Sequence, residues 1–239
     1  MANRSHIYTC DEVPGGRGFY ARGLSEWNYE IPLAHKLMVG TSPRIVRSAI
    51  WEHDIGILAD REGAFERTIA FFDKLGEGEL PDRQEFDDEL AQMKEFLAST
   101  PPSKFILLEA GEILDMMDGE LSQLIADLHA EIPSVVSRAS AAVAGQDDDW
   151  LNELRANWAD QARPGYWSDV LYYSFSNEGT GDNQADDDAE DAAEPVSAET
   201  PKAAAKKPAK KAAKKKPAAK KPAKKAAAKK PAAKKKKKR

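Results

Sequence analysis

A cysteine and a histidine lie close together early in the chain, at Cys10 and His6. A thiol beside an imidazole base is the pairing that cysteine nucleophiles use, so the two residues are a candidate catalytic pair. Cys10 is the only cysteine, which excludes a disulfide within the chain and fits a reducing compartment. A lone cysteine is more often a small buried side chain, and we favour that interpretation.

Two carboxylates, Glu109 and Glu112, follow an apolar run at residues 105–108 that predicts a buried strand. Paired carboxylates at the end of a strand can exchange protons with a substrate, so they are a second candidate site. A solvated turn after a strand commonly carries acidic residues as well. The turn is the favoured interpretation of this pair.

Other patterns lack the spacing that binding sites need. Residues 15–18 (GGRG) lack the preceding strand and following helix of a dinucleotide loop, and residues 186–188 (DDD) lack the alternating ligands of a calcium loop. No histidine pair has the i, i+4 spacing of zinc ligands; the histidines are His6, His35, His53 and His129. The sequence therefore predicts no catalytic residue, metal or cofactor, and a protein that is not an enzyme.

Two of the five tryptophans, Trp27 and Trp167, lie in polar, turn-like surroundings. Aromatic side chains in such positions can line a pocket or a protein interface. Packing against the core is the favoured interpretation of both.

The charge of the chain is divided sharply between its parts. Residues 201–239 carry 19 lysines, one arginine and no acidic residue, whereas residues 1–176 carry a formal net charge of −16. Residues 177–200 hold nine acidic residues and no basic one. The sequence thus predicts an acidic domain (1–176), an acidic linker (177–200) and a polycationic tail (201–239).

The tail consists almost entirely of lysine, alanine and proline, with a 14-residue repeat at residues 206–219 and 220–233. Prolines interrupt each helical stretch and no large apolar side chain is present, so we expect the tail to be disordered, like the linker. A polycation displaces the counterions of double-stranded DNA or other nucleic acid without reading base sequence. The residues predicted to bind DNA are Lys206, Lys207, Lys210, Lys211, Lys214, Lys215, Lys216, Lys220, Lys221, Lys224, Lys225, Lys229, Lys230, Lys234, Lys235, Lys236, Lys237, Lys238 and Arg239.

The Lys-Lys-Pro-Ala-Lys-Lys-Ala-Ala repeat resembles the C-terminal tails of linker histones and of some bacterial histone-like proteins. That resemblance implies DNA condensation. A solubility appendage and attraction to anionic lipids are the alternatives for a charge run of this kind. The neighbouring acidic linker would compete with DNA for the tail, a hypothesis that predicts tighter DNA binding when residues 177–200 are deleted.

The domain mixes predicted helices and strands without regular alternation, which indicates an α+β fold. Strands are predicted at residues 6–9, 55–58, 105–108 and 170–175, and helices at residues 64–75 and 82–97. Asp118 is the predicted cap of a third helix that Pro133 would kink or end, and residues 147–149 (DDD) begin a fourth. No signal peptide or membrane span is predicted.

Four segments of residues 1–176 resemble a family of uncharacterised bacterial proteins. They are residues 1–5 (MANRS), 23–29 (GLSEWNY), 107–112 (LLEAGE) and 167–173 (WSDVLYY). The resemblance implies a bacterial origin and a domain of unknown function.

These observations together predict a non-enzymatic DNA-binding protein in which the tail tethers an acidic domain to the nucleoid, in the cytoplasm. Two alternatives stay open. The domain could be a protein-interaction module, regulatory or immunity-like, that the tail concentrates on DNA. It could also be an enzyme with a site near Cys10, His6, Glu109 or Glu112.

Overall fold

Five strands in the described part of the chain form one antiparallel sheet. The computed structural model describes residues 3–16 and 18–175, and predictions that fall on the linker or the tail lie outside them. The strands are β1 (Arg4–Cys10), β2 (Ala21–Asn28), β3 (Arg44–Val46), β4 (Gly56–Asp60) and β5 (Phe105–Glu109). Their order across the sheet is β2-β1-β5-β4-β3, and every neighbouring pair is antiparallel.

Seven helices accompany the sheet within the same residues. They are α1 (Leu33–Met38), α2 (Ala64–Gly76), α3 (Arg83–Ser99), α4 (Gly111–Asp115), α5 (Leu121–Val143), α6 (Asp148–Ala156) and α7 (Trp158–Gln161). The predicted α+β class of the N-terminal domain is confirmed. Among the described helices, none combines the length and the apolar character needed to span a bilayer.

The two faces of the sheet are covered differently, because successive side chains of a strand point to opposite sides. One face packs against the helices and forms the main core, to which the strands contribute Ile7, Leu24, Ile57 and Leu108. The opposite face, which we call the second face, carries a smaller cluster of Tyr8, Cys10, Ala21, Leu58, Leu107 and Leu171. The second face also holds His6 and Glu109, two of the residues that the sequence singled out.

A bulge in β2 decides which of its side chains reach the second face. Ile7 lies opposite Ser25 while the next residue of β1, Tyr8, lies opposite Gly23, so Leu24 is the extra residue. The extra residue shifts the alternation, which places Glu26 on the second face. Trp27, the next residue, consequently points toward the helices.

The last described segment, residues 164–175, crosses the edge of the sheet, and we call it the strap. Its only ladder contact with a strand in the described chain is a single bridge between Trp167 and Ser25, and the Ser168 N–H donates to the Leu24 carbonyl at 3.0 Å. The strap thereby covers the edge of β2, an edge that would otherwise expose unpaired backbone groups. It then turns over the second face of the sheet.

The predicted strand at residues 170–175 is wrong, because these residues belong to the strap and form no strand. Apolar side chains of the segment are instead buried by packing on the second face. Leu171 is 7% exposed, and the Phe175 ring lies edge-on to the Tyr8 ring with the centroids 5.2 Å apart. Alternating apolar residues bury one side of the segment equally well without a ladder.

The predicted helices are confirmed with small shifts at their ends, and two details are corrected. Pro133 does not end the helix, since α5 continues to Val143, with the buried Ile132 and Ala139 on either side of the proline. Asp118 is not the cap of α5, because the N-cap is Glu120 and makes no side-chain capping bond. Asp147 does cap α6, accepting the Trp150 N–H.

Candidate functional site

Three ionisable side chains form a row across one end of the second face. His6 on β1 lies opposite Glu26 on β2 and opposite Glu109 on β5. His6 and Glu109 are each only 1% exposed. The fold therefore brings together one residue from each of the two pairs proposed from the sequence, and it adds Glu26.

The Glu109 carboxyl is held by the connection between β3 and β4. The Ser48 hydroxyl donates to Oε2 at 2.5 Å and the Ala49 N–H donates to Oε1 at 2.7 Å. Burial raises the pKa of Glu109 to about 7, although the two hydrogen bonds favour the charged form and oppose the shift. The carboxyl thus exchanges its proton near neutral pH.

The pKa of the His6 imidazole is shifted in the opposite direction. Burial lowers its pKa to about 4, and the nearby Arg4 charge adds to the effect. Within the described residues its Nε2 has no hydrogen-bond partner, and the Glu26 Oε2 lies 3.8 Å away. His6 is therefore a neutral ring at neutral pH, next to a carboxyl that is close to its own midpoint.

Glu112 fastens the strap to the first strand. Its Oε2 accepts the Arg4 N–H at 2.7 Å and its Oε1 accepts the Tyr173 hydroxyl at 3.0 Å. The Tyr173 ring in turn lies edge-on to the His6 ring, with the centroids 5.4 Å apart. Burial, followed by the bond to Glu112, raises the pKa of Tyr173 to about 12. The Glu112 carboxylate has a positioning role in this arrangement.

Cys10 does not meet His6. The two residues are four positions apart on β1, which separates their Cα atoms by roughly 13 Å. Burial raises the pKa of the Cys10 thiol to about 12, so the thiolate is disfavoured. Cys10 packs in the second-face cluster with Leu58 and Leu107, as the interpretation of a buried structural thiol predicted.

The row has the opposed pKa shifts that functional sites often show. A substrate nevertheless reaches neither His6 nor Glu109 without displacing the strap or residues 47–55, because both side chains are buried beneath them. In this arrangement the row ties the sheet to its two covering segments. Ser48 and Tyr173, which complete it, were not proposed as site residues from the sequence, because contacts between distant segments leave no local pattern.

A second buried histidine was not anticipated as part of a cluster. His35 on α1 places Nδ1 3.1 Å from the Ser5 hydroxyl and Nε2 3.0 Å from the Ser25 hydroxyl. The hydroxyls also lie within hydrogen-bond distance of the Glu30 and Tyr166 carbonyls. Burial lowers the pKa of His35 to about 3, so its neutral ring has one donor and one acceptor to share between the two serines.

The remaining sequence motifs occupy ordinary structural positions. The glycines of residues 15–18 lie in the connection between the antiparallel strands β1 and β2, with φ of 83° at Gly15 and 77° at Gly18, and no helix follows them. His129 bonds the Pro43 carbonyl at 2.9 Å, and His53 is exposed. The described residues contain no group of three or more His, Cys, Asp or Glu side chains placed to hold a metal ion.

The two tryptophans in polar surroundings have different environments. Trp27 lines a groove of about 430 Å³ together with Trp150, and its indole N–H donates to Glu30 Oε1 at 2.8 Å. Trp167 is half-buried against the main core, with its ring centroid 6.3 Å from that of Phe96. The pocket interpretation therefore fits Trp27, and the core interpretation fits Trp167.

The residues predicted to bind DNA, all between 206 and 239, lie outside the described residues, as do residues 186–188.

Comparison with known proteins supplies a family and no activity. Residues 11–147 match the family described as a domain of unknown function (DUF7822). No curated protein and no solved structure matches the chain. The predicted resemblance of the N-terminal domain to a family of unknown function is confirmed. The matched range begins after β1 and ends before α6, so it leaves out His6 and the strap.

Proposed function

Because the chain belongs to DUF7822, a family of unknown function that brings no activity with it, we propose from its own charges that it binds DNA through residues 201–239. These residues would tether the acidic domain to the nucleoid of a bacterium. The single observation that carries the proposal is 20 cations in 39 residues without one acidic residue.

The strength of the interaction follows from charge density. Duplex DNA carries one phosphate charge per roughly 1.7 Å and a condensed layer of counterions, which a polycation releases when it binds. Base readout depends on Arg, Asn or Gln side chains presented by a rigid element. Residues 201–239 contain one arginine and neither asparagine nor glutamine. The proposed binding is therefore independent of base sequence.

The described domain supports an assignment of DNA binding to residues 201–239, because most of its own cations are already engaged. Ten of the 14 lysine and arginine side chains among the described residues lie within 4 Å of a carboxylate. Arg67 and Arg155 donate to backbone carbonyls, and Arg61 lies over the Phe65 ring. With a net charge of −16 for residues 1–176, the domain repels phosphate.

The experiment compares DNA binding by three proteins on duplexes of unrelated sequence. They are the full chain, residues 1–200, and a full-length variant in which the lysines and the arginine of residues 201–239 are replaced by glutamine. The proposal predicts binding by the full chain alone, with equal affinity for each duplex. The glutamine variant keeps the chain length, so it separates the effect of the positive charge on DNA binding from the effect of chain length. DNA binding by residues 1–200 with undiminished affinity would contradict the proposal.

A further inference from the structure

A groove lies on the helical side of the molecule, away from the buried row of the second face. Trp27 and residues 30–33 form one wall, α5 forms another, and α6 with residues 160–163 closes the third side. Its volume of about 430 Å³ falls within the range of sites that hold small ligands or peptide side chains.

Two tryptophans give the groove its aromatic character. The Trp150 ring already makes a cation–π contact, since the Arg138 guanidinium lies 4.6 Å from its centroid. The Trp27 ring makes no such contact with a described lysine or arginine, and its indole N–H donates a hydrogen bond to the Glu30 carboxylate. The Trp27 ring is thus a half-buried aromatic surface, oriented by a neighbouring carboxylate, of the kind that attracts an ammonium group or a flat apolar ring.

The charges around the groove leave an excess of carboxylate. Each lining cation is paired: Lys36 with Glu131 at 2.7 Å, Arg138 with Asp147 at 2.8 Å, and Arg163 with both Glu85 and Glu89. Two lining carboxylates, Glu30 and Asp160, have no cationic partner within the described residues. The groove is therefore complementary to a positive ligand, and it repels a phosphate or a nucleic acid.

We propose that this groove binds an extended peptide in which lysine neighbours proline. A proline ring packs on an aromatic side chain, and the polyproline II conformation that proline favours is already ordered before binding. The lysine ammonium groups then reach Glu30 and Asp160, while the aliphatic part of a lysine side chain or a proline ring packs on Trp27. The required combination of tryptophan, apolar floor and unpaired carboxylate is present in one place, with Pro32, Leu33 and Val135 supplying the floor.

The protein's own sequence provides a probe of this chemistry. Residues 206–219 read KKPAKKAAKKKPAA, which places lysine next to proline twice. The experiment measures the fluorescence anisotropy of a labelled peptide of this sequence at roughly 0.15 M salt, where distant charges are screened. The receptor is the full-length variant with glutamine in place of the cations of residues 201–239, so that it carries no competing basic segment.

The expected result is saturable binding that depends on the groove. Trp27→Ala and the double variant Glu30→Gln/Asp160→Asn should each weaken binding about tenfold. The matched control is Glu95→Gln/Asp115→Asn, which removes two exposed carboxylates elsewhere and should change the affinity less than about twofold. A peptide with alanine in place of both prolines keeps every charge and should bind about threefold more weakly.

Three results would overturn the proposal. They are an absence of saturable peptide binding, an equal loss in the matched control, and unchanged affinity in the Glu30→Gln/Asp160→Asn variant. The last variant changes only exposed side chains, so it decides the question even if Trp27→Ala fails to fold. The experiment contains no DNA, so its outcome is independent of the proposed DNA binding.

Discussion

His6 and Glu109 lie opposite each other on neighbouring strands, both buried, with pKa values shifted in opposite directions. Burial has one effect on both: it favours the neutral form, which lowers the pKa of an imidazole and raises that of a carboxyl. The two residues therefore make the stability of the fold depend on pH in opposite directions. Together with His35 they lead to predictions that stability measurements can separate.

The first prediction concerns Glu109. Between about pH 4.5 and pH 7 the folded chain holds a proton on Glu109 that the unfolded chain has released. This residue therefore lowers the free energy of unfolding as pH rises through that range, by on the order of 2–3 kcal/mol. Glu109→Gln should remove this contribution, so that urea unfolding at pH 5, 6, 7 and 8 shows stability rising more with pH than in the parent protein. Glu95→Gln, an exposed change, should leave the profile unaltered; identical profiles for both variants would show that Glu109 does not titrate in this range.

The second prediction concerns His35 and has the opposite sign. The folded chain keeps the ring neutral down to about pH 3, whereas the unfolded chain binds a proton below about pH 6.5. His35 therefore lowers the free energy of unfolding as pH falls below 6.5, by about 3–5 kcal/mol in total. His35→Gln should reduce stability at pH 7, because the Ser5 and Ser25 contacts are altered, and should flatten the acid limb of the profile. The exposed His53→Gln is the control, and an acid limb as steep as the parent's in His35→Gln would contradict this explanation.

The third prediction concerns the contact between Gly23 and the strap. A Cβ atom at Gly23 would lie 2.6 Å from Leu171 Cγ and 3.0 Å from the Asp169 carbonyl oxygen. Gly23→Ala should therefore displace the strap and cost about 1–3 kcal/mol, and Leu171→Ala should cost about 2 kcal/mol through lost packing. Part of the clash disappears when Leu171 is shortened, so the double variant should be less destabilised than the two single changes added together. Full additivity in urea unfolding would mean that the two positions do not share this contact.

The fourth prediction concerns the bond that holds the end of the strap. Tyr173→Phe keeps the ring against His6 and removes the hydroxyl that donates to Glu112. The loss should cost about 1 kcal/mol and speed amide exchange in residues 171–173 relative to β5. Tyr172→Phe is the matched control, since no side-chain hydrogen bond of Tyr172 is present in the described structure. Equal exchange in the two variants would assign the strap's stability to packing alone.

Regular elements with a strong period were predictable from the sequence. α2 buries Phe65, Phe72 and Leu75 as the 3.6-residue pattern requires, and β5 is the apolar run seen at residues 105–108. β2 was missed because it lacks a clean alternation: the bulge at Leu24 breaks the period of two in its middle. Residues 170–175 were assigned to a strand because burial on one side produces the same alternation as pairing in a sheet.

The site was only partly predictable for a related reason. His6 and Glu109 stood out as residue types, but their meeting depends on the pairing of strands that are about a hundred residues apart in the sequence. Cys10 stood out for its closeness to His6 in the sequence. On an extended strand, however, four positions place the two residues far apart along the strand axis. The partners Ser48 and Tyr173 reach Glu109 and Glu112 from about 60 residues away in the sequence, so no local pattern could assign them to the row.

The most direct test of the proposed function is the salt dependence of DNA binding by the full chain. If about half of the 20 cations of residues 201–239 engage phosphates, log K should fall with log salt at a slope near −9, whatever the base sequence. The glutamine-substituted full-length protein should show no measurable binding under the same conditions. A full chain that ignores duplex DNA in dilute buffer, or that binds with a slope near zero, would contradict the account.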